Sequence, residues 1–132
     1  MKYMLDTNIC IYIINKHPEQ VIKRFSMLPK GVTEISSVVL SELAFGANKS
    51  QLCEKNLQAL SKFTIPVSVI PYDDAAAYLY GKLRADLSRK GKLIGQLDMM
   101  IAAHAISVNA ILVTNNLKEF SRIKSLKCEN WI

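Results

Sequence analysis

Four short apolar runs, separated by longer stretches of helical periodicity, restrict this chain's fold more than any other feature. Residues 2–5, 32–36, 66–70 and 110–113 each read as a strand. The run at 110–113 is apolar throughout, as suits a strand covered on both faces. Between them lie helical readings at 9–14, 38–47, 51–63 and 97–108. A further helix starts at Pro18 and runs through Phe25, proline being tolerated in a first turn. Asp73 or Asp74 caps a long helix to Arg89, with Ala76, Tyr80, Leu83 and Leu87 as its apolar stripe and Gly91 just past its end. On the helix at 97–108, Leu97, Ile101, Ala105 and Val108 form one side. Residues 118–123 make one or two helical turns, and the tail from Leu126 adds an edge strand. Strands alternating with helices predict an α/β fold with a mainly parallel sheet.

The 132 residues fit a single domain, 1–132. At this length folding buries roughly two-thirds of the unfolded surface, so no disulfide is required. The three cysteines, Cys10, Cys53 and Cys128, show no metal-ligand spacing. The sequence shows neither a signal core nor the ~20 apolar residues of a membrane span. The expected setting is therefore the cytoplasm, with reduced thiols and no membrane contact. Seventeen Lys and Arg against eleven Asp and Glu leave a net charge of +6, which biases the chain toward polyanions.

The eleven acids are not equivalent. Glu19, Glu54, Asp86 and Glu129 have polar or basic neighbours and read as surface charges; Asp73 and Asp74 read as caps. Asp6 closes the first apolar run, whereas Glu42 and Asp98 lie within strongly apolar segments. Each has an ordinary structural explanation. Asp6 can cap a helix, Glu42 can face solvent, and Asp98 can complement a helix dipole. Together they fit strand ends and the helix starts beside them, where parallel sheets place functional groups. Two carboxylates about 4 Å apart repel by about 4 kcal/mol at an effective dielectric near 20, and a bound divalent cation removes that conflict. Oxygen ligands without a His or Cys cluster favour Mg²⁺ or Mn²⁺. His17, in a polar turn, and His104, on an apolar helix, read as structural.

The segments carrying these acids resemble the PIN-domain family, specifically the VapC toxins of bacterial toxin–antitoxin modules. The matching blocks are Tyr3-Met4-Leu5-Asp6-Thr7-Asn8, Ser36-Ser37-Val38-Val39-Leu40-Ser41-Glu42-Leu43 with Phe45-Gly46-Ala47, Gly95-Gln96-Leu97-Asp98-Met99-Met100-Ile101-Ala102-Ala103-His104-Ala105, and Leu112-Val113-Thr114-Asn115-Asn116-Leu117-Lys118-Glu119-Phe120. The resemblance implies a three-layer α/β/α fold and a Mg²⁺-dependent endoribonuclease, with Asp6, Glu42 and Asp98 as metal ligands and catalytic residues. It places Asn116, as a fourth catalytic residue, where many members carry a fourth acid; its amide offers a neutral oxygen, directly or through water, but no charge, so a second metal would bind more weakly. It gives Thr7, Asn8 and Thr114 supporting roles. Leu97 stands where many relatives are more polar and is expected to pack into the core.

The implied substrate is a structured RNA, with tRNA the leading candidate and translation the process inhibited. Lys82, Arg84, Lys92 and Lys118 are candidate phosphate contacts, amid Arg89, Lys90, Arg122 and Lys124. The implied partners are a second copy of the chain and a VapB-like antitoxin, through which operator DNA is reached indirectly. Tyr12, Ile13, Phe25, Leu43 and Phe45 offer apolar surface for such contacts. A nucleic-acid-binding module without catalysis would keep the basic clusters but leave the three acids unexplained. A degenerate toxin acting only in complex would rest on Asn116 alone. A phosphatase of the haloacid dehalogenase type needs a second aspartate where Asn8 stands.

Overall fold

A computed structural model describes all 132 residues. The strands are β1 (Tyr3–Leu5), β2 (Thr33–Ser36), β3 (Ser68–Ile70), β4 (Ile111–Val113) and β5 (Cys128–Glu129). The helices are α1 (Thr7–Asn15), α2 (Glu19–Ser26), α3 (Ser37–Lys49), α4 (Cys53–Phe63), α5 (Asp74–Arg89), α6 (Gln96–Ser107) and α7 (Leu117–Phe120). Every predicted strand is present, including the edge strand near the C-terminus, and every pairing is parallel.

The sheet order is β3-β2-β1-β4-β5. Connections from β1 run toward β2, whereas β4 runs outward to β5, so the order reverses between β1 and β4. Open parallel sheets bind ligands outside the carboxyl ends of their strands at such a switch point. Here Asp6 follows β1 and Thr114 follows β4, and the Asp6 amide donates to the Val113 carbonyl at 3.0 Å.

Successive strand residues face opposite sides of a sheet. Met4 and Leu5 on β1, and Leu112 and Val113 on β4, are all fully buried, so helices cover both faces. The result is a three-layer α/β/α arrangement. The core also takes in Ile9, Ile35, Val39, Ile101, Phe120 and Trp131.

Local chemistry explains the helix starts. Asp6 caps α1, its Oδ1 accepting from the Ile9 amide at 3.1 Å. Ser36 caps α3 by accepting from Val38, and Asp73 caps α5 by accepting from Ala76. Gly91, just past α5, has a φ of +63°, a conformation that glycine adopts without steric penalty.

Helix α6 differs from its predicted amphipathic stripe. Met99 and all of Ile101, Ala102, Ala103, His104 and Ala105 are buried. Leu97 and Val108 are exposed, Leu97 by 47%. The middle of the helix is enclosed on several sides, and its ends emerge from the core. Leu97 therefore does not fill the core as expected. Leu43 is a core residue, while Phe45 is 66% exposed and Tyr12, Ile13 and Phe25 are half-buried. Glu129 is also more than a free surface charge: it lies 2.6 Å from Arg24 and accepts from the Trp131 indole at 3.2 Å.

Leu112 sits fully buried on β4, beside the central strand. Leu112→Ala should lower unfolding free energy by about 2–5 kcal/mol, measured by urea denaturation, because the neighbouring strands and helices cannot collapse into the space left. A loss below about 1 kcal/mol would show that the sheet is looser than described.

Candidate metal-dependent catalytic site

Three separately positioned carboxylates line one cleft. Asp6 is placed by the end of β1, Glu42 by the second turn of α3, and Asp98 by the first turn of α6. With Thr7, Asn8 and Ile101 they bound a space of about 140 Å³. The Thr7 hydroxyl donates to Glu42 Oε1 at 2.8 Å, holding that carboxylate from the start of α1. Asp6 is buried, and its cap to Ile9 fixes its orientation. The capping role and membership of the cleft therefore coexist in one residue.

The electrostatics of this cleft are uncompensated. The protein's ion pairs are Arg24–Glu129 and Arg89–Asp86, and neither involves a cleft acid. Burial raises the Asp6 carboxyl above its ordinary value, and the Glu42 charge adds to the rise; the Thr114 side chain and the amides of Ile9 and Asn8 oppose it. Burial also raises Asp98, followed by repulsion from Glu119, Asp6 and Glu42. As the side chains stand, no three His, Cys, Asp or Glu groups close into a metal-ligand cluster. The set suits a hard cation that retains water: Mg²⁺ keeps several waters and is held through one or two carboxylates.

Other predicted residues fall into distinct places. Thr7 and Asn8 line the cleft, and Thr114 lies against Asp6. Asn116 is half-buried outside that lining, at the start of α7, where its backbone N–H donates to Thr114 Oγ1 at 3.0 Å. Lys82, Arg84, Lys92 and Lys118 are exposed and also lie outside it. Arg84 donates to the Tyr80 hydroxyl at 2.9 Å; with the Gln96 amide turned to satisfy both groups, its oxygen lies 3.2 and 3.3 Å from the guanidinium. Lys90, Arg122 and Lys124 border a separate cleft of about 210 Å³.

Glu119 was missed by sequence reasoning. It is half-buried on α7, and its charge acts on Asp98 more strongly than that of Asp6 or Glu42. The available signal was its place three residues after Asn116, on the helix following β4. An acid there can turn toward the strand ends, restoring charge that Asn116 lacks.

Glu42 also borders two apolar spaces. A groove of about 210 Å³ runs between α1, α3 and α4, past Ile11, Ile14, Leu43 and Leu60. A broader shelf of about 540 Å³ is formed by Val38, Phe45, Leu97 and Met100. Farther along α1, Ile13, Phe25 and Phe63 line a third space with Lys16, Lys55 and Lys62.

Comparison with known proteins matches residues 3–126 to the PIN domain family model. The chain is 48% identical to Ribonuclease VapC2 of Rickettsia felis, covering 99% of this chain and 98% of that protein. It is also 48% identical to the tRNA(fMet)-specific endonuclease VapC of Shigella flexneri, with the same coverage. Among solved structures, VapBC2 from Rickettsia felis bound to a promoter DNA fragment matches with a TM-score of 0.93 and 47% identity, covering 100% of both chains.

The raised carboxyls set a sign for stability without metal. Between the ordinary carboxylate value of 3.8 and the higher folded values, the folded chain holds more protons than the unfolded chain. This contribution therefore lowers stability as pH rises through that window, and the penalty persists above it. Asp98→Asn removes its share. The metal-free variant should melt about 2–5 °C above the parent at pH 7, with the gap closing below pH 3.8 in thermal melts. A lower-melting variant, or a gap that ignores pH, contradicts this electrostatic account.

Proposed function

The chain belongs to the PIN domain family, and on that footing we propose that it is the toxin of a toxin–antitoxin module, a Mg²⁺-dependent endoribonuclease that cleaves tRNA. The observation carrying this reading is the cleft shared by Asp6, Glu42 and Asp98, which concentrates negative charge with no cationic side chain to balance it. Kinship with the tRNA(fMet)-specific endonuclease makes an initiator tRNA the favoured substrate and inhibition of translation the consequence.

Asp6, Glu42 and Asp98 would hold the ion, with Mg²⁺ favoured and Mn²⁺ able to substitute. When bound, such an ion lowers the pKa of a water and stabilises charge at a phosphoryl oxygen. Thr7 keeps Glu42 turned into the cleft through its 2.8 Å hydrogen bond. Asn8 offers a neutral oxygen for orienting water or substrate, and Thr114, fully buried against Asp6, would orient that carboxylate. Glu119 adds negative charge on the α7 side, and Asn116 adds an uncharged amide beside it. Lys82, Arg84, Lys92 and Lys118 would grip phosphates outside the cleft, with Arg84 already oriented by Tyr80 and Gln96.

The partners follow from the spaces beside Glu42. The groove between α1, α3 and α4 suits an apolar segment of a VapB-like antitoxin, and the acidic cleft at its end suits a cationic side chain. The solved VapBC2 relative supports such a complex, with operator DNA reached through the antitoxin. The shelf carrying exposed Phe45 and Leu97 suits a second copy of the chain. No helix is long and apolar enough to cross a membrane, and all three cysteines are free, which supports a cytoplasmic setting.

Purified chain freed of antitoxin should cut initiator tRNA in Mg²⁺ and stop in EDTA. Asp98→Asn and Glu42→Gln should each lower the rate by about a hundred- to a thousandfold, matching the several kcal/mol of charge stabilisation that a metal supplies. A folded, fully active and metal-responsive Asp98→Asn variant overturns the site assignment. Binding without cleavage under all divalent conditions would instead favour a non-catalytic module.

Arg84 and Lys118 act in this reading only by attracting phosphate. Replacing both by alanine should raise KM severalfold, leave kcat nearly unchanged, and flatten the salt dependence of binding. A selective loss of kcat would place one of them in the chemistry.

A further inference from the structure

His104 and Ser36 join the two helices that carry Glu42 and Asp98. His104 Nδ1 lies 2.7 Å from Ser36 Oγ across 68 residues of sequence, and both residues are fully buried. Ser36 ends β2 and caps α3, its Oγ accepting from the Val38 amide at 3.1 Å. His104 lies on α6. Six residues along α3 from Ser36 is Glu42, and six residues back along α6 from His104 is Asp98. The backbone of each acid thus lies about 9 Å along its helix axis from the residue that makes this hydrogen bond.

Neighbouring contacts stiffen the junction. Ser37 Oγ accepts from the Tyr72 amide at 2.9 Å, tying the start of α3 to the segment after β3. The Tyr72 ring meets the His104 ring edge to face, with centroids 5.6 Å apart. The start of α3 is therefore held by α6 and by the chain leaving β3.

The imidazole is otherwise poorly satisfied. His104 Nε2 is buried without a hydrogen-bond partner. If Ser36 donates to Nδ1, Nε2 carries an unpaired proton; if Nδ1 donates to Ser36, the Nε2 lone pair is unpaired. Burial lowers the pKa of this ring and keeps it neutral, although Asp73 opposes that effect. An aliphatic residue would fill an apolar helix position without an orphaned nitrogen. What it would lack is a directional link to Ser36.

We propose that His104 is a positioning residue, which sets the separation of Glu42 and Asp98 through its hydrogen bond to the cap of α3. This inference rests on the reading that these carboxylates hold one divalent ion. Loss of the link lets α3 and α6 settle independently, and the carboxylates then meet the ion with poorer geometry. Loss of a group hydrogen-bonded directly to a metal ligand commonly costs about 10–100-fold in metal affinity. His104 and Ser36 act one step farther out, through helix placement, so their loss should cost less.

The test measures Mn²⁺ affinity by calorimetry on the full chain, alongside thermal melts and the Mg²⁺ concentration for half-maximal tRNA cleavage. His104→Leu and Ser36→Ala should each weaken Mn²⁺ binding by about three- to tenfold, at or below the low end for direct partners of metal ligands, and move the Mg²⁺ midpoint upward by a similar factor. His104→Asn, whose amide can reach the Ser36 hydroxyl, should recover most of the affinity. Ser36→Ala keeps the question answerable if His104→Leu does not fold.

Unchanged Mn²⁺ affinity in a folded His104→Leu or Ser36→Ala variant overturns the proposal, even if both melt lower, because the link is then only structural. Failure of His104→Asn to recover affinity also overturns it. If the parent binds Mn²⁺ but cuts no RNA, the ribonuclease reading fails while the affinity series still decides the role of His104. If the parent binds no Mn²⁺, the shared-ion reading and this inference fail together.

Discussion

Burial of the unpaired carboxylates Asp6 and Asp98 beside Glu42, with mutual repulsion adding to it, is the constraint around which the rest of this structure is arranged. Parallel strands β1 and β4 end side by side, and α3 and α6 lead two further carboxylates to the same opening. None of the three pairs with a lysine, arginine or histidine. A fold under selection for stability alone would separate or neutralise such groups. Holding them together is a local cost that the surrounding sheet must bear, and one that a bound cation would offset.

The scaffold bears this cost through rigid parts. Fully buried residues on β1 and β4 lock the strands between two helical layers. Caps then fix where each helix begins. Asp6 serves twice, closing α1 through Ile9 while facing the cleft, and Ser36 closes α3 while meeting His104. Because Glu42 is set both by its helix and by Thr7, its carboxylate has little freedom to withdraw from the charge it faces. Precision at the cleft thus comes from secondary-structure ends, where backbone geometry is best determined.

Much of this was legible in the sequence because periodicity and capping are local. The run ending at Asp6 gave a strand followed by a capped helix, and Asp73 gave the start of α5. The three special acids stood out by their apolar neighbours. Tertiary enclosure was less visible. Leu97 looks like core by composition, yet the end of α6 emerges into solvent beside Phe45. Glu119 looks ordinary in sequence because its relation to Asp98 depends on the turn after β4. The His104–Ser36 contact joins residues 68 positions apart, and no local pattern announces it.

Family membership then gives the geometry its chemical meaning. A carboxylate cleft alone is compatible with a hard-cation site; membership of the PIN domain family, with relatives named ribonuclease and endonuclease VapC, supports reading it as a nuclease site. The most direct measurement is anomalous diffraction from crystals of the chain soaked in Mn²⁺. One strong peak is expected in the cleft, with oxygens of at least two of Asp6, Glu42 and Asp98 at about 2.0–2.2 Å, a span near that of Mg²⁺ ligands. Saturating Mn²⁺ with no peak there, or a peak bound only elsewhere, would contradict it.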